Sequence, residues 1–218
     1  MVGNSQTDVR QRILDQATRL FAVKGFSGTS VQAVAEAVGI RKPSLLYHFK
    51  SKDALRQGVL DQMLTHWKDE LPKVLAAASS GKDRFANGVG AIISFFVADP
   101  NRARLVVREM LDSPDSVREL LDEHFRPWTS MIADYIRTGQ AAGSIRSDVD
   151  PEGWIVQVVT MCIGTIAVGD VTSSLVRRGG DGERPTVPEQ MTELVRIARR
   201  SLFNTRPQES RDGQLLRR

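Results

Sequence analysis

Residues 25–55 read GFSGTSVQAVAEAVGIRKPSLLYHFKSKDAL, and this stretch decides the fold. Thr29 or Ser30 is placed to cap a short helix whose apolar residues Val31, Val34, Ala35 and Val38 share one face. Gly39 then permits a tight left-handed turn, and Ile40 tucks back towards the core. Arg41-Lys42-Pro43-Ser44 enters a second short helix, on which Leu45 and Phe49 fall at i, i+4 and read as core. Two short helices joined by a glycine turn form a helix-turn-helix. Where such a unit meets DNA, its second helix lies in the major groove with its N-terminal residues towards the bases. That end carries Arg41, Lys42, Pro43 and Ser44, and the far end carries Tyr47 and His48. Cationic, hydroxyl and phenolic groups are the donors that meet phosphates and base edges. The spacing alone also fits a plain helical hairpin with a solvated basic face.

Helical periodicity continues on both sides of this stretch, and no strand-like alternation is sustained. The spacing predicts helices near 8–24, 30–37, 42–48, 52–78, 84–98, 100–111, 114–142, 151–176 and 187–203. Ser51, Ser113, Asp150 and Thr186 stand where N-caps are expected, and Thr186 with Glu189 has the capping-box spacing. Pro100, Pro114 and Pro151 fall at first helical positions, where a missing N–H does no harm. Pro127 predicts a kink or break near Phe125 to Arg126. Residues 177–185 read as a loop, and 204–218 as a disordered basic tail. Gly153 to Gly169 carries no charge, but its three glycines, Gln157, Thr160 and Thr165 suit a buried or subunit-interface helix better than a membrane span.

The 218 residues suffice for a sizeable core without staples. With 41% apolar and 26% charged residues, the composition excludes collagen-like, wholly disordered and multi-span membrane chains. Cys162 is the single cysteine, so no intrachain disulfide or four-cysteine zinc site forms, and a reducing, cytoplasmic setting is expected. The polar start, Met1 to Asp8, does not read as a secretory signal. Net charge is +4, divided into +3 over residues 1–70, −4 over 71–195 and +5 over 196–218. A basic head on an acidic body suits an N-terminal part that meets a polyanion. His48, His66 and His124 show no metal-ligand spacing, and no nucleophile elbow or phosphate-binding glycine loop is present. No catalytic residue, metal or cofactor is therefore expected.

The N-terminal string closely resembles the DNA-binding domain of the TetR family of bacterial transcriptional regulators over about residues 8–56. The landmarks are Phe21, Gly25-Phe26, Thr29-Ser30-Val31, Val34-Ala35 and Ala37-Val38-Gly39-Ile40. Lys42-Pro43-Ser44-Leu45, Tyr47-His48-Phe49 and Ser51-Lys52-Asp53-Ala54-Leu55 complete them. The resemblance implies that Thr29, Ser30, Gln32, Arg41, Lys42, Pro43, Ser44, Tyr47, His48 and Lys52 face DNA. Gln32 stands at a base-contacting position and also three residues after Thr29, the spacing of a capping box. Arg41 stands where a capping serine is common, placed to read a guanine or to pair with a phosphate. Leu46 stands where many members carry a tyrosine that touches the DNA backbone, which leaves more of the clamp to Tyr47 and His48.

The expected architecture is all-α. A three-helix helix-turn-helix domain (1–52) precedes a larger helical domain (53–203) for dimerisation and ligand binding, and a tail (204–218) follows. The resemblance implies a homodimer that binds a palindromic double-stranded operator, most simply as a ligand-responsive repressor, with no membrane partner. Helices 151–176 and 187–203 are the expected dimer surface, with Gly164 and Ala167 allowing close approach, and a charge at Ile163 or Ile166 is expected to break the dimer or unfold the chain. Candidate walls of an effector pocket are Phe95, Phe96, Met110, Trp128, Met131, Tyr135, Met161 and Thr165. Such residues also build ordinary cores. The alternatives are a helical interaction scaffold without effector response and a helical enzyme with an unrecognised site.

Overall fold

The computed structural model describes residues 3–79, 84–176 and 185–204. They form α1 (Gly3–Lys24), α2 (Val31–Val38), α3 (Lys42–His48), α4 (Lys52–Ser79) and α5 (Arg84–Ala98). Then come α6 (Pro100–Asp112), α7 (Pro114–His124), α8 (Arg126–Ala141), α9 (Pro151–Thr172), a 3-10 turn (Ser173–Leu175) and α10 (Val187–Leu202). The only bridge of strand type among the described residues joins Ile145 to Phe203. The proposed tail, apart from Asn204, and most of the 177–185 loop lie outside the described residues.

Local chemistry explains most boundaries. Asp99 and Asp150 cap α6 and α9 by accepting from the N–H groups of Asn101 and Gly153. Thr186 and Glu189 form the full capping box of α10. Pro127 is tolerated in the first turn of α8, and the chain breaks at Phe125, so the predicted 114–142 segment is two helices. Ser113 is a correction. It precedes α7 but makes no side-chain cap bond, because its Oγ accepts from Arg56 Nη2 at 2.7 Å.

One core closes the head. Ile13, Leu14, Ala17 and Phe21 of α1 pack on Val34 and Ala35 of α2, Leu45 of α3, and Phe49. Leu55 and Val59 of α4 and Leu105 of α6 complete it, so the head's packing runs past residue 52 and includes a residue of the body. A second core joins Trp67 of α4, Phe95 and Phe96 of α5, and the buried face of α9 to Met191, Leu194 and Ala198 of α10. Helix α4, about 42 Å long at 1.5 Å per residue, belongs to both cores.

Helix α9 is long and apolar enough to cross a membrane by composition. Ile155, Val158, Cys162, Ile163, Ile166 and Ala167 are nevertheless buried within the subunit. Ala167 therefore does not form the outer face assigned to it, because α5, α6 and α10 already cover that side, and the burial of Ile163 and Ile166 in the same core makes unfolding the outcome expected of a charge there. Burial also pushes the Cys162 thiol up to about 11, so it stays protonated and inert.

Candidate nucleic-acid interface

Helices α2 and α3 are fixed to each other by their shared turn. Gly39 adopts φ 79° and ends α2, its N–H donating to Glu36 O at 3.0 Å, while Ile40 N donates to Ala35 O at 3.0 Å. A residue with a Cβ is strained at that φ, although the space beside it is open. Arg12 of α1 reaches across 26 positions to donate to Val38 O at 2.7 Å, satisfying a carbonyl at the end of α2.

The N-terminal end of α3 faces solvent. Arg41, Lys42, Pro43 and Ser44 are all exposed, and Leu45 and Phe49 anchor the opposite face in the core. Arg41 precedes the helix without making a cap bond, which leaves its guanidinium available to a ligand. Tyr47 is 67% exposed, packs edge-on to the half-buried His48, and has Lys50 Nζ 5.6 Å from its ring. On α2, Ser30 accepts from Ala33 N at 3.0 Å through its Oγ and keeps its own proton for an acceptor. Gln32 is exposed and donates to Glu36 Oε1 at 2.7 Å. Ser30, not Thr29, is the N-cap, so Gln32 does not stand at the capping-box position.

Two expected contacts change. Thr29 is 1% exposed, and its hydroxyl donates inward to Gly25 O at 2.8 Å, so it braces the end of α1 and offers nothing to a phosphate. Lys52 is half-buried, with Nζ 4.3 Å from the Phe26 ring centre and 3.5 Å from Ser27 O, which ties part of its charge to the protein. Lys50 and Arg10 were not singled out by the motif. Both are exposed, and Arg10 lies 4.9 Å over Phe49 at the end of α3. The signal available for Lys50 was its charge beside Tyr47; for Arg10 it required the tertiary fold.

A family model described as bacterial regulatory proteins of the tetR family matches residues 13–59, and one described as a tetracyclin repressor-like C-terminal domain matches 106–175. The HTH-type transcriptional repressor DhaR of Mycobacterium sp. strain GP1 is 30% identical over 149 residues, 68% of this chain and 75% of the relative. The chain belongs to the TetR family. It is thus a DNA-binding transcriptional regulator, and α2 and α3 lie within the matched N-terminal region. KstR2 of Mycolicibacterium smegmatis, another TetR-like repressor, is 30% identical over 147 residues, 65% of this chain and 69% of the relative. Among solved structures, the ketosteroid regulator KstR2 of Mycobacterium tuberculosis superposes with TM-score 0.71 at 18% identity, covering 94% of this chain and 98% of the other. A regulator from Saccharomonospora viridis, solved with choline, gives 0.64 at 20% identity, covering 91% and 100%.

The TetR-type head is bolted to the body by α6. Arg108 donates from Nε to Ala22 O at 2.8 Å and from Nη2 to Val23 O at 3.1 Å, capping the end of α1. Glu109, buried, holds Arg56 of α4 in a bidentate pair. Further along α6, Arg104 donates to Ala167 O at 3.1 Å and pairs with Asp170 of α9.

The expected pocket walls differ in burial. Phe95 and Phe96 are buried against Trp67, with Phe95 4.9 Å from each ring. Met110, Met131, Tyr135 and Met161 are exposed, and Trp128 and Thr165 are half-buried. A cleft of about 120 Å³ lies between head and body, and Phe95 alone of the eight lines it.

Proposed function

We propose that the chain is a homodimeric repressor that sets α3 of each protomer into one half of a palindromic operator and leaves DNA when a small molecule binds the body. The observation that carries the reading is the N-terminal end of α3: two exposed cations and a free hydroxyl, backed by a buried face that fixes their direction. Phosphate contacts from Ser30, Lys42, Tyr47 and Lys50 would set the register, and Arg41, Gln32 and Ser44 are placed to read base edges.

The outer face of α9 supports dimerisation. Val156, Gln157, Thr160, Met161, Val168 and Val171 are exposed without a single charge, and a Cβ at Gly164 would meet open space. An uncharged stripe of that length on a soluble regulator suits a two-fold partner copy. Two protomers then present their α3 helices to major-groove sites about one helical turn, ~34 Å, apart.

Response to a small molecule is supported by relatives, one named for ketosteroids and another solved with choline. It is supported here by α7, which has no buried residue and packs chiefly on its chain neighbours α6 and α8, so it is weakly anchored. A mainly apolar effector entering between α7, α8 and the Phe95–Phe96–Trp67 cluster would favour head positions that fit DNA badly. The test is operator binding with and without candidate ligands. Apolar compounds that raise the melting temperature are expected to include ones that release DNA. If only phosphorylated or sugar-like ligands release it, the apolar reading is wrong.

A further inference from the structure

The cleft between head and body is lined by Asp15 of α1, His66 of α4, Phe95 at the end of α5, and Asp99 and Arg102 at the entry to α6. At about 120 Å³ it takes a compact organic molecule, well short of the ~300 Å³ of a drug-sized site. It shares Phe95 with the aromatic cluster, and most of its other lining residues are polar or charged.

That chemistry is charge of both signs, left unpaired. Arg102 donates from Nη1 to Phe95 O at 3.0 Å and lies 4.6 Å over the Phe95 ring, but pairs with no carboxylate among the described residues. Asp99 uses Oδ1 for both of its bonds, from Asn101 N and Nδ2, each at 3.0 Å, which leaves Oδ2 open. Asp15 meets only the neutral amide of Gln11, at 2.8 Å. His66 stacks on Phe95 with ring centres 4.3 Å apart, and desolvation holds its pKa below the ordinary value, so it adds no charge near neutrality.

We propose that this cleft binds a compact zwitterion of the α-amino-acid type, its ammonium towards Asp15 and Asp99 and its carboxylate on Arg102. A simple cation there would face Arg102, and a simple anion would face two carboxylates; only a molecule carrying both charges meets every unpaired group with its opposite. The imidazole of His66 and the thioether of Met63 wall the remaining space and admit a small side chain. Because Asp15 belongs to the head and Asp99 and Arg102 to the body, the bound molecule joins the two and holds the head at one angle. Binding does not depend on the operator reading, since it is measured on DNA-free protein.

The experiment is calorimetric titration of the full chain with glycine, L-alanine and L-serine, and with acetate and ethylammonium as single-charge controls. At least one amino acid is expected to bind saturably, and neither control at the same concentration. Asp15→Asn and Arg102→Gln are each expected to weaken binding by about tenfold or more, the loss of one charge-assisted hydrogen bond. Asp15 is exposed, so Asp15→Asn leaves the fold intact, which an unchanged melting curve without ligand verifies. Absence of saturable binding by all three amino acids, equal binding of a control, or full retention of affinity in both variants overturns the proposal.

Discussion

Arg56 of α4 and Glu109 of α6 lie 53 residues apart and form a bidentate ion pair, with Nε 3.1 and 3.0 Å from the two carboxylate oxygens and Nη2 also on Oε2. Glu109 is 5% exposed, and the pair raises the pKa of the Arg56 guanidinium, first through the hydrogen bond to Glu109. Arg108, the preceding residue, caps α1. Adjacent residues of one helix thus grip both α1 and α4, so α6 of the body is tied to two helices of the head core.

Removing one partner of this pair strands the other charge. Glu109→Ala is expected to destabilise the chain by about 3 kcal/mol, the lower end for a buried pair because Arg56 keeps some contact with water. Replacing Arg56 and Glu109 together by Met and Leu is expected to cost less than Glu109→Ala alone. Urea unfolding of the single and double variants measures both; a double variant as unstable as the sum of the singles contradicts the pairing.

Substitutions on α3 separate positioning from reading. Tyr47→Ala is expected to weaken binding to all DNA sequences about equally, whereas Arg41→Ala is expected to relax preference at one base pair by ~1–3 kcal/mol. Competition binding against single-base operator variants distinguishes them. Thr29→Ser, which keeps the inward hydrogen bond, is expected to leave affinity unchanged.

The two sides of α9 have opposite sensitivities. Val168→Asp and Val171→Asp, on the exposed face, are expected to give folded monomers, while Ile166→Asp buries an unpaired charge and is expected to unfold the chain. Sedimentation with circular dichroism reads both outcomes. A folded monomer from the unmodified chain removes α9 as the dimer face.

How far the fold was legible in the sequence follows from the range of the interactions. The caps at Ser51, Asp150 and Thr186 act within three residues, so they were readable, as was the break before Pro127. Ser113 looked like another cap, but its partner Arg56 is 57 residues away. On α9 nearly every position is apolar, so periodicity carried no direction, and Ala167 was assigned to the wrong side. In the head, Thr29 and Ser30 are chemically alike as caps, and only the approach of Gly25 and Leu20 decides which one turns inward. The exposed end of α3 was legible because Leu45 and Phe49 fix the opposite face.

Stability should depend on pH through His66. The imidazole is exposed on one side, and its pKa lies below the ordinary 6.5, first because stacking on Phe95 partly desolvates the charged form. In the window below 6.5 the unfolded chain therefore binds more protons than the folded one, so this contribution is complete above 6.5 and is lost as the pH falls through that window. His66→Gln is expected to flatten the stability difference between neutral and mildly acidic buffer. An unchanged slope in the variant contradicts the assignment.

The central claim is that α3 reads DNA, and selection from a random-sequence duplex library tests it most directly. The purified chain is expected to enrich one palindromic sequence, and a Lys42→Ala, Tyr47→Ala double variant, folded by circular dichroism, is expected to lose that enrichment. No enrichment by the unmodified chain, or the same sequence recovered at the same strength by the double variant, would contradict the account.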